Sequence, residues 1–524
     1  MTYAALTFSP VQGFIEKSRK LRDLYGASII LSYLSQQLVD AATTYQLEVI
    51  SPGLVNIAQG MPNRILIKGD FSQHPIDEWV DYTILSAWKQ ILSECKQWIE
   101  QKIPEHSPDF FYHWHRDWEM WGTHAWEVFW GSGNTIQEAM DALETQKLSR
   151  NWTGINWIGE SSSLTGIDAI AWPGLGSGSR NPKTLKHSNE NEKIESFYTQ
   201  LATVLETPST QSSSGEEEPP EGKYLDSHER LSIPELVKRL ITRYEIRSHF
   251  KKIPPLKRFT DLERKPDPEK NHSGQWTGWF MGDGDKVGKK LQEIADKKGD
   301  EGLQSFSTAM RTWGQDFMQK FPSHLGRVIY AGGDDFLGVI YSKNPNQPIS
   351  SQTALEWLTE LNKQWQKHGQ DITLSVGFVW AGHSVPQRDV LQHCRAAEKQ
   401  AKSLGRDRVT LRIVFNSGQY VQWTCPWEHL SLLNQYKDRN GGNNWSQVYS
   451  DLAQLKARHA IDVKSQKPDY KLALALMDIY FQNSGKLILK NQKELVGDTS
   501  PTTLVQWIEN LILVGWQLCS SVDQ

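Results

Sequence analysis

Val328-Ile329-Tyr330-Ala331-Gly332-Gly333-Asp334-Asp335-Phe336-Leu337-Gly338-Val339-Ile340-Tyr341 reads as a strand, a tight turn and a return strand. The apolar runs on either side have strand length, and the glycines supply the turn and let a ligand approach the backbone. Two acids stand at the tip. A second acidic turn, Gly282-Asp283-Gly284-Asp285, ends the apolar run Trp279-Phe280-Met281. Adjacent carboxylates repel unless a cation shares them. Their hard oxygens suit Mg²⁺ or Mn²⁺, which in turn suit a polyphosphate. A Gly-Asp turn by itself is also an ordinary exposed hairpin, so the surrounding pattern decides.

That pattern favours a catalytic sheet. Asp371 to Trp380 reads as a strand. Pro386 to Leu404 reads as an amphipathic helix with Val390, Leu391, Cys394, Ala397 and Ala401 on one face. Val409 to Phe415 is a further strand. The order from Trp276 is β-α-β-β-α-β plus one helix and strand, the ferredoxin-like plan. Asp283 then ends the first strand beside the hairpin between the second and third, so the two clusters are expected to meet. The simplest chemistry is two-metal nucleotidyl transfer.

The segment resembles the catalytic palm shared by nucleotide cyclases, diguanylate cyclases and the large subunit of type III CRISPR effector complexes. Gly-Gly-Asp-Asp, in place of a Glu-bearing turn, favours the CRISPR subunit. Phe8-Ser9-Pro10-Val11-Gln12-Gly13-Phe14-Ile15 and Ser18-Arg19-Lys20-Leu21-Arg22-Asp23-Leu24-Tyr25-Gly26-Ala27-Ser28 resemble the opening of the first palm in its Cmr-type, type III-B branch. His228-Glu229-Arg230-Leu231-Ser232 and Leu236-Val237-Lys238-Arg239-Leu240 are similar to that branch as well. The resemblance implies synthesis of cyclic oligoadenylates from ATP when a guide-bearing complex captures target RNA. Many relatives carry an N-terminal nuclease domain with a His-Asp motif. This sequence has no His-Asp dipeptide and opens on the first palm, so single-stranded DNA cleavage is not expected.

The expected fold class is α+β: two ferredoxin-like palm (nucleotide cyclase-like) domains with helical intervening and C-terminal domains. The expected boundaries are a first, degenerate palm at 1–160, an intervening region at 161–270, a second palm at 271–415 and a helical domain at 416–524. In the first palm, Tyr3 to Thr7, a helix around Phe14 to Leu38, Leu47 to Ile50 and Arg64 to Ile67 repeat the layout. The acids do not repeat. Ser9-Pro10-Val11 replaces Asp283-Gly284-Asp285, and Gln59-Gly60-Met61-Pro62-Asn63 lies where the acidic tip belongs. Residues 173–190 are rich in Gly, Ser, Asn and Lys, and 207–222 in Ser, Glu and Pro, so 207–222 is expected to be mobile. Ile233 to Phe250 reads as helical. In the C-terminal region Leu430 to Tyr436, Trp445 to His459, Tyr470 to Gln482 and Thr503 to Leu518 have helical spacing, suited to docking partner subunits or to a plain structural cap.

The site assignment follows. Asp283, Asp334 and Asp335 are the catalytic and metal-binding candidates. Gly284, Gly332 and Gly333 are nucleotide-binding candidates. The resemblance adds Lys402, near the end of its helix, as a triphosphate contact; a solvated helix-end cation is the plainer reading. The expected cofactor is Mg²⁺ or Mn²⁺, with ATP as substrate. No zinc is expected, because Cys95, Cys394, Cys425 and Cys519 form no Cys-x-x-Cys pair. Ser162-Ser163-Leu164-Thr165-Gly166 stands where the resembling family often has a zinc knuckle.

Composition sets outer limits. The length of 524 residues predicts several domains, and a net charge of −4 gives no global basic footprint for RNA. Partners implied by the resemblance are the other effector subunits, guide RNA and target RNA. No apolar run reaches spanning length and the N-terminus lacks a signal-peptide layout, so a cytoplasmic location without membrane contact is expected. Of 22 tryptophans, seven lie from Trp114 to Trp157; core packing is favoured over a base-stacking platform. His113 and His115 have no third ligand nearby and read as surface or packing residues. A free-standing nucleotide cyclase, or a scaffold subunit with a weakly active nucleotide site, remain the alternatives.

Overall fold

A computed structural model of the chain describes residues 2–104, 106, 112–149, 157–175, 191–206, 224–254, 262–269, 271–461 and 469–520. The segment 207–222, expected to be mobile, lies outside the described residues, as does most of 173–190. The chain divides into two compact units, Met1–Leu262 with Leu291–Arg311, and Glu263–Lys290 with Thr312–Gln524.

The first unit holds β1 Thr2–Ser9, α1 Val11–Glu16, α2 Leu21–Thr44, β2 Glu48–Ser51, β3 Ile65–Gly69, α3 Ile76–Lys102, α4 Tyr112–His124, β4 Glu127–Gly133, α5 Ile136–Leu148, α6 Asn191–Glu206, α7 Ile233–Leu240 and α8 Tyr244–Arg247. Its sheet order is β2-β3-β1-β4, antiparallel throughout. This is the ferredoxin-like order, so the expected layout is present. The helix expected over Phe14 to Leu38 is broken into α1 and α2. Asp23 is the reason: its carboxylate accepts from the Arg19 and Lys20 amides at 2.8 and 2.9 Å, capping α2 from within its first turn. The stretch from Ile233 to Phe250 is broken too. Thr242 Oγ1 donates to the Arg239 carbonyl at 2.6 Å where helix α7 ends. Helices α2 and α7 touch through Gly26, where a β-carbon would stand 1.8 Å from the Lys238 carbonyl oxygen.

The second sheet is built from β5 Thr277–Gly284, β6 Gly326–Ala331, β7 Asp335–Ile340, β8 Leu374–Ala381, β9 Arg408–Val414 and β10 Tyr420–Pro426. Its order is β10-β9-β8-β5-β7-β6. Strands β8-β5-β7-β6 are the ferredoxin-like core, and β9 joins β8 in parallel. Helix α9 Val287–Lys320 follows β5, α10 Ser351–Trp365 follows β7, and α11 Gln387–Ser403 follows β8. The sheet continues past residue 415, because Val421 to Cys425 alternates and buries Trp423 and Cys425 beside β9. Then come α12 Leu432–Gln435, α13 Ser446–Ala457, α14 Tyr470–Tyr480, α15 Gly485–Lys490, α16 Gln492–Val496 and α17 Pro501–Cys519. Helix α17 packs on β10, with Trp507 Nε1 donating to the Thr424 carbonyl at 2.8 Å. No helix among the described residues is long and apolar enough to cross a membrane.

Candidate active site

Strand parity decides which β5 residues are available for chemistry. Gly278, Phe280, Gly282 and Gly284 face one side, and Trp279, Met281 and Asp283 the other. The first side is filled. A β-carbon on Gly282 would stand 2.2 Å from the Phe336 ring, and one on Gly338 2.1 Å from the Phe280 ring. These are cross-strand neighbours, each ring lying over its partner glycine. Trp313, Phe317, Phe321, Trp357 and Trp365 complete the aromatic cluster. The second side receives α11. Gly377 admits it: a β-carbon there would meet the Cys394 carbonyl oxygen at 2.4 Å.

Asp283 therefore emerges beside the last turns of α11, and its register partner is Asp335. The two clusters meet as expected. Asp335 opens β7 and is exposed; Asp334 occupies the turn and is half-buried. The turn is clamped to the strand end, with the Gly284 amide donating to the Asp334 carbonyl at 2.8 Å and the Gly332 amide to the Asp335 carbonyl at 3.0 Å. Gly333 adopts a φ of +156° that favours glycine. At Gly284 a β-carbon would crowd Trp365 and the Asp334 β-carbon, at 3.2 and 3.3 Å. Gly284 is thus explained by packing and turn closure, whatever it contributes to a ligand.

Lys402 reaches back from α11 and forms an ion pair with Asp283. It also lies 2.6 Å from Glu398, one helical turn earlier. Burial raises the Asp283 carboxyl above its ordinary range, Lys402 opposes the rise, and Asp285 adds to it. Glu398 is raised by burial in the same way, opposed by Lys402. Burial lowers Lys402, but Asp283 and Glu398 outweigh that and hold it above its ordinary value. Burial also lifts the Tyr330 hydroxyl well above its usual range, with Asp335, Asp283 and Glu398 contributing. Glu398 and Tyr330 were missed in the sequence. The Glu398–Lys402 spacing of four on one helix was the legible signal.

Asp285 has a different task. It accepts from Thr373 Oγ1 at 2.9 Å, Ser375 Oγ at 2.7 Å and the Asp407 amide at 2.9 Å. Arg406 and Asp407 adopt left-handed φ values of +69° and +50°. Asp285 thus holds the turn after α11, and through it the helix end bearing Lys402.

The donor set fits a hard divalent cation in its chemistry: Asp283 and Asp335 present carboxylates from paired positions, and burial, with a smaller push from neighbouring carboxylates, raises Asp283 and Glu398. The arrangement is less complete than the sequence predicts. Among the described residues no group of three or more His, Cys, Asp or Glu side chains is arranged to hold a metal ion. Asp334 lies beside Gly284 on the Trp365 side, and the Lys402 ammonium stands where a cation would neutralise Asp283.

The first unit has no acids at the matching place. Asn63 Nδ2 donates to Thr7 Oγ1 at 3.0 Å, and Arg311 donates to the carbonyls of Leu54, Asn56 and Gly60. A guanidinium bound to carbonyls thus organises that loop. At Ser162–Gly166 hydroxyls hold the turn: Ser162 Oγ and Thr165 Oγ1 donate to Glu235 at 2.7 and 3.0 Å. Trp114, Trp118 and Trp126 are core residues, Trp121 stacks on Trp157 at 4.8 Å, and Trp152 lies outside the described residues. His113 is buried, while His115 is exposed and bonded to Lys96 Nζ at 2.7 Å.

Residues 277–410 match the family described as Cas10/Cmr2, second palm domain. Residues 3–102 match the family described as CRISPR-associated protein Cmr2, N-terminal. The two matches together support a Cas10-family large subunit. No match is found among curated proteins. Solved structures similar to this chain include a Csm1-Csm4 cassette in complex with cA4, at 13% identity and a TM-score of 0.47, covering 98% of this chain and 70% of that one. Another is the cassette in complex with one ATP, at 13% identity and a TM-score of 0.47, covering 99% and 70%. A third is the cassette in complex with cA3, at 14% identity and a TM-score of 0.45, covering 99% and 69%.

Proposed function

We propose that this chain is the large subunit of a type III CRISPR RNA-guided effector complex of the Cmr-type branch, and that it joins ATP into cyclic oligoadenylates when the complex binds target RNA. The observation that carries the reading is the pairing of Asp283 with Asp335 at the end of β5, beside a Gly-Gly-Asp-Asp turn in a palm that matches the Cas10/Cmr2 family. In this reading 1–160 is a degenerate palm, 161–270 an intervening region, 271–415 the synthetic palm, whose sheet β10 extends to Pro426, and the helices from α12 onward a domain facing partner subunits.

Asp283, Asp334 and Asp335 would hold Mg²⁺ or Mn²⁺, which supply charge neutralisation at a triphosphate and activation of a ribose hydroxyl. The chain's own residues set the stage for that. Asp283 would hold the ion in place of the Lys402 ammonium, and Lys402 would then be available to a phosphate oxygen. Gly332 and Gly333 keep the turn low, so a nucleotide can lie across it. The aromatic cluster behind Gly282 fixes the strand end rigidly.

The test is product analysis by mass spectrometry of the reconstituted complex given ATP, Mg²⁺ or Mn²⁺ and matched target RNA. Wild type is expected to yield cyclic oligoadenylates. The Asp334→Ala, Asp335→Ala double variant is expected to assemble and bind target yet lose synthesis, a loss of about 3–4 kcal/mol or more of transition-state stabilisation. Undiminished synthesis by the double variant overturns the assignment.

A further inference from the structure

The far end of the second sheet carries a cleft with different chemistry. Strand β5 runs from Thr277, opposite Ala381, to Asp283, opposite Ser375. Arg412 is in register with Val379 and Trp279, four residues along and two strands across from Asp283, a separation of roughly 16 Å. The cleft has a volume of about 530 Å³ and is lined by Pro386 and Asp389 in the first turn of α11, with Gln392, His393, Arg412 and Asn416.

Arg412 is the unusual member. It is 6% exposed. A guanidinium offers five N–H donors. Here three bonds are made: two to Gln422 Oε1, at 3.1 and 2.6 Å, and one to His393 Nδ1 at 3.0 Å. Among the described residues no carboxylate pairs with it, although a buried cation ordinarily has such a partner. The Tyr420 ring covers one face, 4.3 Å from the guanidinium carbon. Because His393 Nδ1 accepts from Arg412, the neutral ring carries its proton on Nε2, a second donor in the wall. Burial, then Arg412, lower His393, which favours that neutral form. A second buried cation stands behind the rim. Arg264, 8% exposed, donates to the carbonyls of Val385 and Gly382 at 2.8 and 2.7 Å, and its Nε has no partner. Asp389, the one carboxylate in the wall, makes no ion pair with Arg412.

We propose that this cleft binds the phosphate group of a ligand of mononucleotide size, held by the Arg412 guanidinium and the His393 imidazole. The volume lies in the range of small-ligand pockets and exceeds what a lone carboxylate fills. A guanidinium and an imidazole N–H side by side suit a tetrahedral oxyanion. The exposed amide of Gln392 lines the cleft beside them and can meet the remainder of the ligand. The phosphate can come from a free nucleotide or from an RNA strand.

The experiment is calorimetric titration of the full chain with AMP, with inorganic phosphate and with a short single-stranded RNA, in chelator so that no divalent ion reaches the palm acids. Saturable binding is expected. Arg412→Gln should weaken it about tenfold or more, the loss of one charge-assisted contact. Gln392→Glu, an exposed change that leaves the core untouched, should weaken it several-fold with an unchanged melting temperature. Asp283→Asn with Asp335→Asn should leave it as in wild type. Tighter RNA than AMP assigns the site to a strand, and the reverse assigns it to a free nucleotide. Absence of saturable binding by all three probes, or equal affinity in wild type and Gln392→Glu, overturns the proposal.

Discussion

Asp283 and Asp285 are two residues apart on one strand end, yet their neighbours give them opposite tasks. Asp285 is buried, with three donors aimed at its oxygens, so it is a structural carboxylate. Asp285→Ala leaves Thr373, Ser375 and the Asp407 amide without their acceptor. It is expected to destabilise the chain by about 2–4 kcal/mol, read as a lowered denaturant midpoint. Asp283 instead meets a single ammonium among like charges. Lys402→Ala removes that counter-charge and is expected to lower the melting temperature in metal-free buffer, with about 1–3 kcal/mol lost. Added Mn²⁺ should restore more stability to the variant than to wild type, because the ion then supplies the missing charge. Equal Mn²⁺ effects on both proteins would count against Asp283 as a ligand.

At the scale of elements, α2 and α7 are joined by a buried ionic cluster. Arg239 Nε lies 2.7 Å from Asp23, and its Nη1 lies 2.7 Å from Glu229, all three side chains at most 3% exposed. Burial pushes the Glu229 carboxyl up, but Arg239 outweighs it and brings it down to about 2. Asp23 is lowered for the same reason against the same burial. A carboxyl with a depressed folded pKa stabilises above its unfolded value and loses that stabilisation as pH falls through the folded one. The window for Glu229 runs from about 4.5 down to about 2. Glu229→Gln should therefore flatten the fall in stability across that window while lowering stability at neutral pH. Denaturant unfolding at stepped pH measures both effects. Gly26→Val tests the same interface by packing. The side chain would meet the Lys238 backbone, so a loss of about 3 kcal/mol or more is expected.

At the scale of the molecule, the net charge of −4 opposes strong independent RNA binding. If the proposed function holds, the isolated subunit binds ATP and metal but turns over slowly, and target RNA raises turnover through a population shift. Initial rates for the subunit alone, the complex alone and the complex with matched target should rise in that order. Equal rates in all three would reject RNA gating and favour a free-standing cyclase.

The second palm was legible because its signals are local. Apolar runs of strand length, a Gly-Gly turn and an amphipathic helix each declare themselves within about ten residues, and their order gave the ferredoxin-like plan and the meeting of Asp283 with the hairpin. In the first unit the patterns around Tyr3, Leu47 and Arg64 indicated strands, and the family resemblance was needed to read them as a second palm. Breaks in helices were not legible, since they rest on Asp23 reaching back to two amides and Thr242 reaching a carbonyl. Strand β10 shows in the sequence only as the short alternation from Val421 to Cys425, and its place beside β9 was decided by the fold. The roles of single side chains depended on the tertiary structure most of all. Residue type made Asp283, Asp334 and Asp335 candidates for one chemistry, and the resemblance added Lys402. Only folding brought Lys402 and Glu398 to Asp283, gave Asp285 its three donors, and buried Arg412 without a carboxylate, because burial and charge pairing join residues that are far apart in the chain.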